Sequence, residues 1–329
     1  MLKKLFLILL CAGMLSHEVR AQRPDDGAAA FAGISSASVV VGLLLPGTKG
    51  VVTSHGVKYT LIETKLPTQA TVCMAGPVDY PYNGSLVIPH ALSVSGTNYY
   101  VTDMKPACFQ QTDVKSVSFN DLIRTIPTNA FLYCAELTDV KFHGNVKFLE
   151  GGAFMGCIKL NGIYLPELMK YIGGHAFHGC VSLTSINIPV ACSYMGEYAF
   201  YACSNLEKVK FDGNGPEYLP ENCFDFCGKL KEITLPDGVR YICNGAFRTS
   251  GIERITWGKD VKGIGIDAFY STPLKAIYSH TPVPPDVGSG GGFTHRMCAE
   301  IELHVPRGCG DAYRKDAFWS NFRNIIADL

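Results

Sequence analysis

The chain carries no excess of charge of either sign, because 29 lysines and arginines balance 29 aspartates and glutamates. Proteins that bind nucleic acid or an anionic membrane surface usually carry a basic excess, so neither function is indicated. The chain also lacks a phosphate-binding loop. Its glycine-rich stretch GSGGG, at residues 288–292, has no lysine after it and no strand-to-helix context, so we interpret it as a surface loop.

The residue patterns that usually accompany catalysis or metal binding are also missing. No nucleophile with its base, no carboxylate pair and no metal-ligand spacing stands out. His175 and His178 lie three residues apart, but they flank a core Ala-Phe pair on a predicted turn and have no recurring third ligand. We interpret both as exposed turn histidines. The sequence therefore predicts a non-enzymatic protein with no catalytic residue, no cofactor and no metal.

Residues 1–21 predict export. They contain two lysines, then an apolar run, and end in Val-Arg-Ala, which is typical of a signal peptide cleaved after Ala21. A secreted or cell-surface protein is expected, with a periplasmic or lipid-anchored location as the less favoured alternatives. Lipid attachment at Cys11 is disfavoured because the preceding Leu10 is bulky.

A second uncharged stretch, residues 28–45, leaves two interpretations open. Its 18 residues are just enough to cross a bilayer, yet they include three serines and two glycines. We favour a buried strand at residues 38–45 after a small-residue linker, with a membrane span as the alternative. Membrane association is otherwise expected only through an anchor at the amino terminus.

The dominant feature of the chain is a repeat of 22 to 24 residues. A small residue followed by phenylalanine recurs eight times, at Phe109, Phe131, Phe154, Phe177, Phe200, Phe224, Phe247 and Phe269. A fixed period in this range predicts a solenoid, in which stacked neighbours bury the apolar faces that no single repeat can bury alone. Each repeat also contains an LxxIxI pattern that alternates as a strand does. We expect these strands to form a parallel sheet along one side of the coil.

A column of cysteines follows the phenylalanines at a distance of three residues, and its members are Cys134, Cys157, Cys180, Cys203 and Cys227. Other repeats have serine or threonine there, which indicates a small buried position in a turn. We interpret these residues as structural thiols, because a linear row does not converge on a metal ion. Strand spacing leaves disulfide formation between neighbours open.

Two further cysteines stand outside the repeat columns. Cys298 and Cys309 flank the strand-like segment IELHVP near the end of an exported chain. They are the best candidates for a disulfide, although an extended segment between them would hold them too far apart unless the chain bends near residues 306–308.

The repeat pattern IGxxAFxxCxxLxxIxIP resembles the BspA-type leucine-rich repeat of surface and secreted proteins of Bacteroidetes and treponemes. The resemblance covers roughly residues 59–329 and implies a mainly β protein, a parallel solenoid of about eight leucine-rich repeats at 106–280. It also implies a small N-terminal β cap at 57–105 and a C-terminal α+β cap at 281–329, with residues 22–56 as a linker and strand segment. Proteins of this kind are associated with cell-surface adhesion and protein-protein interaction.

The outward position of each predicted strand is our candidate ligand face. From the first repeat to the eighth it is occupied by Ser118, Lys141, Tyr164, Asn187, Lys210, Thr234, Thr256 and Tyr278. At about 4.8 Å per strand this column spans roughly 35 Å, enough for a peptide, a glycan chain or a protein edge. We expect a monomer that binds a host or microbial surface protein at the centre of this column. One alternative is a carbohydrate-capture protein accessory to polysaccharide use. The column has only two aromatic residues on which sugar rings could pack, and this scarcity argues against that alternative. The other alternative is that these residues are merely solvated strand positions.

Overall fold

The computed structural model describes residues 48–54, 57–62, 71–74, 84–94 and 97–329. Residues Gly47–Leu329 form one compact unit. The predicted signal peptide and the uncharged stretch 28–45 lie outside the described residues. Within the described ranges, no helix is long and apolar enough to cross a membrane.

The described elements are mostly short strands. The first are β1 (Thr48–Ser54), β2 (Val57–Ile62), β3 (Thr71–Met74), β4 (Ser85–Val87), β5 (Ala91–Val94), β6 (Thr97–Met104), β7 (Ser116–Ser118), β8 (Thr125–Ile126), β9 (Asp139–Lys141), β10 (Phe148–Leu149), β11 (Tyr171–Ile172) and β12 (Ser185–Ile188). They are followed by β13 (Tyr194–Met195), β14 (Lys208–Phe211), β15 (Tyr218–Leu219), β16 (Glu232–Leu235), β17 (Tyr241–Ile242), β18 (Arg254–Trp257), β19 (Gly263–Ile264), β20 (Ala276–Ser279), β21 (Asp286–Val287), α1 (His295–Glu300), β22 (Glu302–Val305), α2 (Gly310–Lys315) and β23 (Asn324–Ala327).

The strands form a parallel β-solenoid of about nine turns, which confirms the predicted fold class. Each turn of the solenoid contributes a strand to one side of the coil. These strands form parallel sheets with the orders β4-β7-β9, β12-β14 and β16-β18-β20-β22-β23. On a second side of the coil, strands of two residues form parallel sheets with the orders β8-β10-β11-β13 and β15-β17-β19-β21. The amino-terminal strands form a separate sheet with the order β1-β2-β3-β6-β5.

The first set of strands runs past both predicted limits of the solenoid. At its start β4 pairs in parallel with β7, and at its end β22 and β23 continue the ladder from β20. The segments predicted as caps therefore also contribute strands to the repeat sheet. The buried Trp319 and Tyr313 pack edge to face at 5.7 Å beneath this carboxyl-terminal end.

The repeat phenylalanines form a continuous stack through the core. Phe177 is fully buried, and its ring stacks on Phe154 at 5.8 Å and on Phe200 at 5.3 Å. The cysteine column lies beside this stack, and each thiol donates to the phenylalanine carbonyl of the preceding repeat, as Cys180 does to Phe154 at 3.2 Å. The column is therefore structural in the way that the small-residue pattern predicted.

The column thiols should react only when the protein unfolds. Burial raises the pKa of Cys134 to about 11 and that of Cys180 to about 12, so the reactive thiolate is scarce at pH 8. We expect a thiol reagent to label these residues quickly in denaturant and negligibly without it, as read by peptide mass spectrometry. Rapid labelling of the native column would contradict the fold.

The predicted bridge between Cys298 and Cys309 is not formed, because the structure has both as free thiols. Cys298 is buried on α1, whereas Cys309 is half-buried just before α2. The extended strand β22 lies between them. Extended chain advances by about 3.3 Å per residue, so this strand separates the two residues along the repeat.

One repeat is longer than its neighbours and interrupts both sheets. Phe200 and Phe224 are 24 residues apart. The extra residue falls between Phe211 at the end of β14 and Tyr218 at the start of β15, in the stretch that contains the segment Asp-Gly-Asn-Gly at 212–215. The ladder is not continued between β14 and β16, nor between β13 and β15. The sheet is also irregular around Tyr164, where no strand is assigned in residues 161–166. The predicted continuous sheet is thus divided into segments.

Candidate functional site

The predicted outward column does face solvent. Lys141, Asn187, Lys210 and Thr234 are exposed, and Tyr164 is 73% exposed. The remaining members Ser118, Thr256 and Tyr278 are half-buried. Side chains alternate across a strand, so the intervening positions point inward, as Ile233 and Ile255 do.

Backbone register joins the column members into straight rows. Asn187 pairs with Lys210, and Thr234 pairs with Thr256, which pairs in turn with Tyr278. The row continues to His304 of β22, which the sequence reasoning did not include. Its signal was available in the alternation of the segment IELHV, where the histidine holds the outward position.

A depression of about 1090 Å³ opens on this face in its carboxyl-terminal half. Four predicted column residues line it, namely Lys210, Thr234, Thr256 and Tyr278. The other lining residues are Glu207, Lys208, Val209, Phe211, Lys229, Lys231, Glu232, Ile233, Pro236 and Arg254. The column members Lys141, Tyr164 and Asn187 lie on the same face but outside this depression, which is therefore displaced from the expected centre.

The long repeat accounts for the position of the depression. Its lining comes from β14 on one side and from β16 and β18 on the other, so it lies across the interruption of the sheet. Val209 and Phe211 of β14 are only partly buried, whereas Ile233 and Leu235 at the same positions of β16 are buried. Apolar atoms therefore become accessible at the break. The single 24-residue spacing was the sequence signal that could have found this site.

The rim of the depression is positively charged. Five of its lining residues are cations, Lys208, Lys210, Lys229, Lys231 and Arg254, against the two carboxylates Glu207 and Glu232, an excess of three positive charges. Lys210 lies 2.6 Å from Asp212 and Arg254 lies 3.5 Å from Glu232. Exposed pairs of this kind contribute at most about 1 kcal/mol, so a partner's carboxylates can compete for these cations.

Charged pairs also connect neighbouring strands beside the depression. Glu253 lies 3.2 Å from Lys231 and 2.6 Å from Lys275, one repeat before and one after it. Hydrogen bonds from these two lysines lower the pKa of the Glu253 carboxyl. The acidic side chain thus connects Lys231, which lines the depression, to Lys275 of the following repeat, which does not.

An aromatic pair closes the carboxyl-terminal end of the depression. The Tyr278 ring stacks on His304 at 4.5 Å with an interplanar angle of 17°. His304 Nδ1 lies 3.0 Å from an oxygen of Asp328. The buried Nε2 has no hydrogen-bond partner, although Glu302 lies 3.8 Å away. A flat, partly exposed ring is therefore held rigidly beside the cationic rim.

The interpretation of the histidine pair needs a correction. His175 is half-buried and His178 is only 4% exposed, because each packs against an aromatic ring of the next repeat. Their Nδ1 atoms are 3.0 Å apart, and burial lowers the pKa of His178 to about 4. Among the described residues no group of three or more histidine, cysteine or acidic side chains is arranged to hold a metal ion.

The chain belongs to the family of proteins with the BspA-type leucine-rich repeat region. The family profile matches six copies of the repeat over residues 102–215 and 147–275, which together cover more than half of the chain. Leucine-rich repeat proteins are generally surface and binding proteins, and the fold is typically non-catalytic. No curated protein matches the chain significantly.

Solved structures of bacterial leucine-rich repeat proteins are similar to this one. A leucine-rich repeat protein from Bacteroides ovatus is 22% identical and has a TM-score of 0.58, over 84% of this chain and 76% of that one. The Leucine Rich Repeat protein of T. pallidum is 20% identical with a TM-score of 0.43, over 64% of this chain and 86% of that one. The first similarity supports the solenoid fold.

Proposed function

We propose that the protein is an exported, non-catalytic binding protein that attaches to a protein on a host or microbial surface. The depression on the repeat sheet is the proposed contact site. The observation that carries this proposal is the convergence of Lys210, Thr234, Thr256 and Tyr278, all outward column residues, around one depression.

The composition of the site suits a protein partner. Long cationic side chains and one rigid tyrosine surround exposed apolar atoms of Val209 and Phe211. Interfaces commonly combine a tyrosine or arginine anchor with a polar rim of this kind. The positive excess favours a partner with an acidic segment, because complementary charge speeds association.

The proposal is tested with the double substitution Lys210→Ala and Tyr278→Ala. We expect binding to immobilised extracellular-matrix proteins, measured by surface plasmon resonance, to weaken by more than about 2 kcal/mol, because a few anchor residues, tyrosine foremost, carry most of the binding energy of an interface. The melting temperature should change little, since Lys210 is exposed and Tyr278 half-buried.

The matched control is the double substitution Lys170→Ala and Glu197→Ala. Both residues are exposed and lie outside the depression. This control should bind as the unmodified protein does. If the control loses binding and the first variant keeps it, the contact site lies on another surface of the coil.

A further inference from the structure

The interruption of the repeat sheet leaves backbone groups unpaired at two strand edges. On β14 the N–H of Lys208 donates to Thr184 of the preceding repeat at 3.3 Å. Successive residues of a parallel strand direct their backbone groups to opposite sides, so Val209 directs its N–H and C=O toward the following repeat. On β16 the same alternation, fixed by the pairing with β18, directs the backbone groups of Glu232 and Thr234 back toward β14. We call the backbone groups of Val209, Glu232 and Thr234 the open edges.

The open edges have no hydrogen-bond partner within the part of the chain that the structure describes. No backbone bond joins β14 to β16 there. Every residue of 207–211 and of 231–234 lines the depression. Because alternate residues of a strand point to opposite faces, lining by consecutive residues means that the depression reaches the strand edges themselves. The depression is therefore bordered by unpaired backbone donors and acceptors.

An extended peptide is the ligand that such edges recognise. A strand edge presents donors and acceptors in alternation, and the backbone of another extended segment presents them in complementary order. A sugar chain carries hydroxyl groups without this fixed alternation. Unpaired strand edges are also the positions at which foreign strands add to a sheet. The unmade backbone bonds therefore favour a peptide segment over a carbohydrate.

The two faces of a strand bound along the open edges would meet different surroundings. On the solvent side lies the rim, with five cations and two carboxylates. On the core side, Val209 and Phe211 are only partly buried and line the depression. Side chains of an extended segment alternate between its two faces. The segment that fits this site therefore alternates acidic with apolar residues.

Entry of a strand requires the two parts of the coil to separate at this repeat. A strand between β14 and β16 needs about 9.6 Å between them, twice the usual strand spacing, whereas their Cα atoms now approach within 8 Å. Both sheets are interrupted here, so no ladder bond has to break. The turn side stays joined, because the N–H groups of Tyr198 and Ala202 donate to Glu221 and Asp225, each at 2.9 Å. This side forms the hinge about which the depression widens.

We infer that the interruption between β14 and β16 binds one extended peptide segment of a partner protein as an added strand. Acidic side chains of that segment face the cationic rim, and its apolar side chains face the core. This binding mode rests on the proposed function, since it places the same kind of partner at the same depression, and it adds which part of the partner is recognised.

The first test is hydrogen-deuterium exchange of the full chain, resolved at single amides. The probe is a capped peptide of about eight residues that alternates glutamate with valine. The amides of Val209, Glu232 and Thr234 should exchange at least about tenfold more slowly with the peptide than without it, because pairing protects them. The amide of Thr256, which is already paired with β16, should not change. Unchanged exchange at the open edges would overturn the inference.

Two altered peptides test the backbone and the charge separately. Methylation of alternate amide nitrogens keeps every side chain but removes donors, so binding measured by fluorescence anisotropy should weaken by about tenfold or more. Lysine in place of glutamate keeps the backbone and should prevent binding beside the cationic rim. Polygalacturonate is anionic but has no peptide bonds, and it should not compete with the acidic peptide. Competition by this polymer, or equal binding of the methylated peptide, would count against an added strand.

Substitutions at one position test the open edge of β16. Thr234→Pro removes an N–H that has no partner, so the melting temperature should change little while peptide binding weakens by about fivefold or more. Thr234→Ala keeps that N–H and should bind as the unmodified protein does. Thr256→Pro, one repeat later, removes an N–H of the β16–β18 ladder and should lower the melting temperature. Equal destabilisation by the two prolines would show that the edge is not open.

The two proposals for this depression fail in different ways. If Lys210→Ala with Tyr278→Ala weakens attachment to matrix proteins but no peptide slows exchange at the open edges, the proposed function stands and the added strand is wrong. If the acidic peptide protects the open edges but no matrix protein attaches, the added strand stands and attachment to such proteins is wrong.

Discussion

Replacing Phe177 with alanine should destabilise the protein by about 3 to 5 kcal/mol, because it empties a layer of the core that two neighbouring repeats share. The ring is fully buried and stacks on Phe154 and Phe200, so its removal leaves contacts missing on both sides. The measurement is the free energy of unfolding from urea titration. Circular dichroism should still report the β spectrum of the folded variant below the transition.

Phe226→Ala is the matched control for that experiment. It removes the same side chain from a position that is 46% exposed and has positive φ. We expect a change of less than about 1 kcal/mol, because little buried area is lost. Equal losses in the two variants would mean that the phenylalanine column does not form the core of the solenoid.

The repeat made the fold predictable from the sequence. An inward phenylalanine every 22 to 24 residues leaves a long chain few ways to bury its apolar side chains other than stacking. The same reasoning correctly predicted that the cysteine column is buried and that Lys210 and Thr234 point outward. These features depend on side-chain periodicity, which is local and repeats many times.

Features that depend on a single departure from the repeat were missed. One added residue before Leu219 interrupts two sheets and exposes Val209 and Phe211, and periodicity averaged over eight repeats hides it. His178 was expected in solvent because its own repeat shows only a turn. Its burial comes from Tyr201 in the next repeat, a contact between residues 23 apart that no local pattern describes.

Two buried titratable groups should make stability depend on pH in opposite directions. Burial is the chief cause that lowers the pKa of His178 from 6.5 in the unfolded chain to about 4 in the folded protein. Between pH 4 and 6.5 the unfolded chain therefore binds a proton at this histidine that the folded protein does not bind. Stability contributed by His178 is therefore lost as the pH falls from 6.5 to 4. Burial raises the pKa of Asp225 from 3.8 in the unfolded chain to about 6 in the folded protein. Between these pH values the folded protein binds a proton at Asp225 that the unfolded chain does not bind, so stability increases as the pH falls from about 6 to 3.8.

Single substitutions should separate these two contributions, which nearly cancel in the unmodified protein. Each is worth about 3 kcal/mol, since one pKa unit corresponds to about 1.4 kcal/mol and both side chains are almost fully buried. In the Asp225→Asn variant only the histidine contribution remains. As the pH falls from 6.5 to 4, this variant should therefore lose about 3 kcal/mol of stability relative to the unmodified protein. His178→Gln should gain a similar amount over the same interval, as read from urea unfolding at several pH values. Because all other groups are common to the variants, parallel pH profiles would show that neither side chain titrates abnormally and that both are open to water.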